Sequence, residues 1–409
     1  MLKRVPTSQL RPGMFVHELC GSWMENPFWR SSFKLDSPDD LNSILSTGIK
    51  EAWIDTSKGL DIAAGVTKAE TAARIEAALA DVDKTPDKHK KPDTTKDAGR
   101  AVKIFANSRL AINTMFQEAR MGKALDEQQA LPIVEEISAA VLNNPGALIG
   151  LARLKRKDDY TYMHSVAVCA LMVSLARQLG MNDVQVRQCG LAGLLHDIGK
   201  MMIPQEILNK PGKLTDEEFL LVKNHPVAGH KMLQAGNAID AVSKDVCLHH
   251  HEKFDGSGYP ERLGGQQISV FARMGAVCDV YDAITSNRPY KNGWEPSESI
   301  RKMAEWSTSH FDPVVFQAFV KSIGIYPIGS LVKLSTDRLA VVVQQSAKSL
   351  LNPVVKVFFS IKSNGRITPE LVDLSKPSTK DKIVSHEDPK IWDIPDILQL
   401  WSGLPDATW

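Results

Sequence analysis

The chain lacks most of the features that would tie it to a membrane, an oxidising compartment or a polyanion. Its five cysteines (Cys20, Cys169, Cys189, Cys247, Cys278) are scattered, form no CxxC pair and are odd in number. Neither a disulfide framework nor a thiolate zinc site is supported, and a reducing cytoplasm is the expected location. Charge of one sign is also missing. With 49 Lys and Arg against 48 Asp and Glu, the formal net charge is +1. Duplex nucleic acid is therefore not an expected partner, and a nucleotide would need a local site. Long hydrophobic runs are absent too: the longest, near Ala167–Ala176, is too short to cross a bilayer. The start, MLKRVPTSQLRPG, is basic but has no apolar run behind it, so no secretory signal is expected. What is present is ordinary for a soluble protein, 43% hydrophobic and 24% charged over 409 residues, a length that suggests two or three domains.

Four segments follow from the pattern. Residues 1–82 form a small mixed α+β regulatory domain. Met14-Phe15-Val16 and Ala52-Trp53-Ile54 read as strands, Arg11-Pro12-Gly13 as a turn, and Ser37–Ser46 as a helix with early acidic residues. Residues 83–98, DKTPDKHKKPDTTKDA, hold no large apolar side chain and read as a flexible linker. Residues 99–324 are helical, with apolar positions such as Val168, Leu171, Leu175 and Leu179 recurring three and four apart. Gly180 ends that helix and Asn182-Asp183 caps the next. Residues 325–409 form a short β-containing tail, with strands at Leu331–Leu334, Ala340–Val343 and Val354–Ile361. The expected fold class is α+β multidomain, with an all-helical catalytic core.

Eight of the 11 histidines fall between His164 and His310, interleaved with carboxylates. His164 lies early in a helix. His196-Asp197 ends the helix holding Leu191, Leu194 and Leu195, His225 opens another, His250-His251 ends a further one, and Asp279 lies in AVCDVYDAI. Helices in a bundle can aim such residues at one interior point. Imidazole and carboxylate without thiolate suit iron, manganese, nickel, cobalt or zinc. A carboxylate beside a histidine can bridge two ions, and two ions can share a hydroxide and polarise a phosphoryl oxygen. Taken singly, His164 would be a hydrogen-bonded core residue. His249 reads as an extra histidine, and His17, His89, His310 and His386 as surface or structural groups. The joint set His164, His196, Asp197, His225, His250, His251 and Asp279 points to metal.

The collinear series YMHS, LLHDIGK, KPGKLT, HPVAGH, HHEKFDGSGYP and CDVYDAITSNRPYK, from about Tyr160 to Pro313, closely resembles the HD-GYP phosphodiesterases of the HD superfamily of metal-dependent phosphohydrolases. The resemblance implies hydrolysis of cyclic di-GMP to pGpG, GMP or both, through hydroxide attack at a binuclear metal site. It assigns metal ligation to the seven residues above, with Asp197 as the bridging ligand. Lys200 matches a lysine near the reacting phosphate, suited to stabilising phosphoryl charge or helping the leaving oxygen. Gly258, Tyr259 and Pro260 match the substrate-binding loop, where glycine admits close backbone approach and tyrosine offers a stacking face. Asp282, Arg288 and Lys291 match residues near the ligand, Arg288 suited to forked contacts and Lys291 to phosphate. Some members hold a third metal with a glutamate four residues before the first histidine. Tyr160 stands there in this chain, which favours two divalent ions, iron, manganese or nickel, and pGpG as a major product. VPTSQLRPGMFV and EAWIDTSKG resemble an uncharacterised domain often found ahead of HD-GYP modules.

Two other readings stay open: a cyclic di-GMP sensor with little turnover, signalling through the first domain, and an HD phosphohydrolase of another cyclic dinucleotide. The N-terminal domain also leaves open a homodimer or a protein partner.

Overall fold

The computed structural model describes residues 1–20, 32–46, 49–63, 65–84, 98–143, 146, 150, 160–210, 212, 214–286, 293–307, 309–346 and 348–404. It divides into two compact units, Met1–Leu79 with Ala304–His310, and Ala80–Met303 with Phe311–Trp409.

The first unit is built on a five-stranded antiparallel sheet, ordered β3-β2-β4-β1-β5: β1 (Leu2–Pro6), β2 (Phe15–Leu19), β3 (Phe33–Lys34), β4 (Glu51–Asp55) and β5 (Val66–Thr67). Both strands read from the sequence are there, each extended by a few residues. Val5, Val16, Ala52 and Ile54 alternate onto one face and pack with Leu10, Met14, Leu35 and Ile44. Helix α1 (Pro38–Leu45) starts where expected, with Ser37 accepting from Asp39 N at its N-cap. At the turn, Gly13 has φ +93°, a value that favours glycine. The chain returns to this unit at Ala304–His310, a contact no sequence pattern announced. There Glu305 accepts from Arg4 Nη1 at 3.4 Å and from Trp53 Nε1 at 3.0 Å. Helix α2 (Lys68–Asp83) follows β5.

The second unit contains α3 (Ala98–Arg120), α4 (Glu127–Asn143), α5 (Tyr160–Gln178), α6 (Asp183–Leu195), α7 (Gln205–Leu208), α8 (Asp216–Lys223), α9 (His225–Ala235), α10 (Ala241–His249), α11 (Val270–Thr285), α12 (Pro296–Trp306) and α13 (Pro313–Ile323). Of the expected linker, residues 85–97 lie outside the described residues. Helix α5 packs against α3, α4, α6, α11 and α13. The sequence suggests an apolar stripe here, yet Val166 to Ala176 are buried on every side. A helix wrapped by five others needs no polar face. Gly180, at φ +74°, terminates it, and Asn182 with Gln185 forms a capping box on α6.

The tail is larger than the three predicted strands. β6 (Leu331–Leu334), β7 (Arg338–Gln344), β8 (Val354–Ser360), β9 (Gly365–Asp373) and β10 (Ile383–His386) form an antiparallel sheet ordered β10-β6-β7-β8-β9, followed by α14 (Ile397–Ser402). β9 escaped notice because most of its residues face solvent and carry no apolar alternation. Among the described residues no helix is long and apolar enough to cross a membrane.

One close approach positions the site. Residues Ile198–Met202 form a 3-10 turn directly after His196-Asp197, and Gly199 in it lies against the start of α9. A Cβ on Gly199 would stand 2.0 Å from His225 O and 2.5 Å from Gly229 N. Only hydrogen at this position lets the two backbones meet and brings His225 to Asp197. Gly199→Ala should therefore force the backbones apart and destabilise the protein by about 1–3 kcal/mol. Urea unfolding read by circular dichroism checks this, and an unchanged midpoint would show that the crossing can relax.

Candidate metal centre

Helix ends supply the geometry. The last turn of a helix leaves carbonyls without intrahelical partners, and three histidines use them. His196, at the C-cap of α6, donates from Nδ1 to Gly193 O at 2.8 Å. His225 donates from Nδ1 to Val222 O of α8 at 2.7 Å. His250, at the C-cap of α10, lies 3.1 Å from both Val246 O and Cys247 O through Nδ1. Carbonyls only accept, so each Nδ1 carries the proton and each Nε2 presents its lone pair to the interior. His164 is held differently: its Nδ1 lies 2.6 Å from Asp282 Oδ2, a carboxylate one turn beyond Asp279 on α11. A carboxylate behind a histidine orients the ring and raises its basicity as a ligand.

These rings converge. His164 Nε2 and His196 Nε2 are 3.2 Å apart, and His225 Nε2 and His250 Nε2 are 3.3 Å apart. Lone pairs facing at that distance repel unless a cation or proton stands between them. Asp197 lies between the two pairs. Its Oδ2 is 3.3 Å from His164 Nε2 and 3.4 Å from His196 Nε2, and its Oδ1 is 3.1 Å from His225 Nε2 and 3.7 Å from His250 Nε2. Asp279 Oδ1 completes one side, 3.0 Å from His164 Nε2, and His251 completes the other. The donor atoms of His164, His196 and Asp279 lie within 4.8 Å of one another, as do those of His225, His250 and His251.

Two buried atoms in this cluster have no hydrogen-bond partner among the described residues, Asp197 Oδ1 and His251 Nε2. The close approach of His225 Nε2 to Oδ1, 3.1 Å, is no hydrogen bond, because the ring's proton sits on Nδ1 and two lone pairs face each other. An orphaned carboxylate oxygen amid inward-facing imidazoles is costly without a cation and is a fitting donor set for one. The residues present therefore fit divalent metal ions, and the mixed nitrogen and oxygen donors suit borderline transition metals.

The electrostatics divide the cluster. Burial disfavours charge on His196, but Asp197 and Asp279 outweigh it and push the imidazole up to about 10. Burial pulls His250 down to about 3, reinforced by His196 and His225, and pulls His251 well below the usual imidazole range. The side containing Asp279 thus favours positive charge, while His250 and His251 stay neutral, the form that ligates metal. Burial opposes ionisation of Asp197, yet the Lys200 ammonium and His196 hold its carboxyl well below the ordinary range. Lys200 Nζ donates to Asp197 Oδ2 from the partly exposed rim.

All seven residues read as ligands come together. Of the loop residues, Gly258 is packed so closely that a Cβ would meet Lys253 N at 2.3 Å and Glu252 Cα at 2.5 Å. Tyr259 stacks on His251, with ring centroids 4.8 Å apart, and Pro260 follows it. Asp282, expected near the ligand, is buried behind His164 instead. Arg288 and Lys291 lie outside the described residues. Tyr160 opens α5 one turn before His164. His249 turns aside to Asp245 and Glu261, and His230 to Lys244 O and Gln234.

Two contributors were not singled out from the sequence. Lys223 Nζ lies 4.7 Å from the Tyr259 ring centroid, over its face. Nothing in the sequence distinguishes it from an ordinary lysine at a helix C-terminus. Buried Glu252 accepts from the backbone N–H groups of Glu261 at 2.7 Å and Leu263 at 3.1 Å, folding the Gly258–Pro260 loop back toward the cluster. Its place directly after His250-His251 was the available signal.

Comparison with known proteins agrees with this arrangement. Residues 137–315 match the HD domain, and residues 2–130 match a domain of unknown function (DUF3391). A cyclic di-GMP phosphodiesterase of Pseudomonas aeruginosa is 52% identical over 409 residues, covering 100% of this chain and 97% of that protein. The chain belongs to the HD-GYP family of HD-domain phosphodiesterases. A cyclic di-GMP phosphodiesterase of Thermotoga maritima is 40% identical over 166 residues, 40% of this chain and 45% of that one. A 3′3′-cGAMP-specific phosphodiesterase of Vibrio cholerae is 36% identical over 182 residues, 44% of this chain and 42% of that one. Similarity to these two relatives covers less than half of the chain, whereas the Pseudomonas relative matches it throughout.

Because Asp282 orients His164 without itself joining the candidate ligands, Asp282→Asn should leave the fold intact and weaken metal affinity by about 10- to 100-fold. Manganese titration of metal-stripped protein checks this. Unchanged affinity would mean that His164 is held by packing alone.

Proposed function

We propose that the protein is a binuclear metal phosphodiesterase that hydrolyses cyclic di-GMP, opening the ring to pGpG and, by a second cleavage, to GMP. The observation that carries this reading is the buried Asp197 carboxylate, each of whose oxygens faces a different set of imidazoles. The name of the Pseudomonas relative supports the substrate.

His164, His196 and Asp279 would hold one divalent ion and His225, His250 and His251 the other, with Asp197 bridging them. Iron, manganese and nickel are the ions these donors favour. Such ions supply Lewis acidity toward phosphoryl oxygen and acidify water for attack. The protein's own groups do the rest. Water oxygen bonds to phosphorus, the bond from phosphorus to the ribose 3′ oxygen breaks, and that oxygen takes a proton. Lys200, on the rim beside Asp197, is placed to stabilise charge on the phosphoryl group or on the leaving oxygen. Gly258, Tyr259 and Pro260 line the substrate side, with Lys223 as an added cation there. Arg288 and Lys291 are assigned to phosphate and guanine contacts by the family pattern. Two ions rather than three, with pGpG as a major product, follow from Tyr160. Residues 1–82 are assigned a regulatory role, open to a protein partner or a second copy, and the setting is cytoplasmic.

The similarity to a 3′3′-cGAMP-specific enzyme favours a second reading, hydrolysis of another cyclic dinucleotide. Freshly purified protein should carry about two transition-metal ions per chain and convert cyclic di-GMP faster than 3′3′-cGAMP. Asp197→Asn should lose metal and bring turnover to background. Elemental analysis and product separation over time check both. A filled site that binds cyclic di-GMP without cleaving it would replace the enzyme with a sensor. Faster cleavage of 3′3′-cGAMP would replace the substrate, and immediate conversion of pGpG to GMP would overturn the product assignment.

A further inference from the structure

We infer that Arg120, the last residue of α3, is a positioning residue that holds the 3-10 turn carrying Lys200, an inference that rests on the role proposed for Lys200. Arg120 Nε donates to Met201 O at 3.1 Å, and its Nη2 donates to Ile203 O at 3.2 Å. Met201 directly follows Lys200, and Ile203 caps the same turn by donating its N–H to Lys200 O at 3.1 Å. The turn opens with Lys200 N donating to Asp197 O at 2.9 Å. Carbonyls at the end of so short a helix have no partner within it. A guanidinium that bonds two of them at once fixes both the position and the tilt of the turn, which a point-charge ammonium cannot do.

The arginine is itself held firmly. Ile112, Met115, Phe116 and Ala119 bury one side of α3. Phe116 packs against Tyr162, with ring centroids 5.7 Å apart, and Gln117 Nε2 donates to Tyr162 Oη at 2.9 Å. Tyr162 lies two residues before His164. The final turns of α3 therefore grip both segments that flank Asp197 Oδ2, the His164 helix and the turn after His196-Asp197. Arg120 itself bonds the turn and no candidate metal ligand, so losing its guanidinium would displace Lys200 first. Arg120 lies in the stretch that matches the domain of unknown function, whereas Met201 and Ile203 lie in the HD match. Part of the uncharacterised front module thus supplies a side chain that sets the geometry of the catalytic turn.

The test is a double-mutant cycle of Arg120→Ala and Lys200→Ala, with kcat, KM and metal content measured on the full-length protein. Arg120→Ala should lower kcat about 10- to 100-fold, as expected for a misplaced catalytic group. KM and metal content should stay at the wild-type level. In the Lys200→Ala background the same change should add almost nothing, because the two residues act as one unit. Arg120→Lys, with one prong in place of two, should fall between wild type and alanine and serves in the cycle if the alanine variant does not fold. Independent, multiplying losses would overturn the inference, as would an unchanged kcat or a loss of metal in the Arg120 variant. If Lys200→Ala alone leaves kcat intact, the role of Lys200 fails, and the coupling fails with it.

Discussion

One buried carboxylate organises the centre of this protein. Asp197 is almost fully enclosed, and each of its oxygens faces two imidazole nitrogens that cannot all donate to it. Without positive charge nearby such a group is among the most costly things a fold can bury. The surrounding structure answers that cost with two trios of donors and a lysine at the rim. Metal binding and folding are therefore coupled here, since ions that bind only the folded chain stabilise it by mass action.

The helices serve this centre mainly through their ends. His196 and His250 occupy C-caps and His225 follows the end of α8, so each finds a last-turn carbonyl for Nδ1. A tautomer that would otherwise be left to chance is thereby set by the backbone. His164, inside a helix whose carbonyls are already used, needs a carboxylate instead, and Asp282 provides it. The Gly258–Pro260 loop is tied in through the backbone as well: Glu252 collects two N–H groups and folds the loop over His251. Tyr259 then reaches both His251 and Lys223. The candidate ligands and this loop thus meet at the His251–Tyr259 contact.

The glycine at position 199 shows how local sequence and long-range packing meet. In the string HDIGK it reads as the end of a helical pattern, but the helix already ends at Leu195 and Gly199 sits inside the 3-10 turn that follows. Its larger role is to let the turn pass against α9, and that role depends on a residue pair 26 positions or more apart. Arg120 has the same character. On the sequence it is one basic residue closing a helix, and only its two carbonyl acceptors reveal a connection to the catalytic turn.

By itself the sequence determined the helical core, two of the five N-terminal strands and three of the tail strands, because apolar periodicity and capping residues are local properties. It also pointed to the candidate ligand set, since seven histidines and aspartates stand in one order with family motifs around them, and the fold brings all seven together. Tertiary structure alone decided which ligands share a side, because residues 115 apart, such as His164 and Asp279, meet only once α5 and α11 pack. It decided that Asp282 stands behind His164, that Lys223 meets Tyr259, and that the chain returns to the first unit at Glu305. Each of these is a contact between side chains distant in sequence, and such contacts follow from how helices cross rather than from the residues that form them.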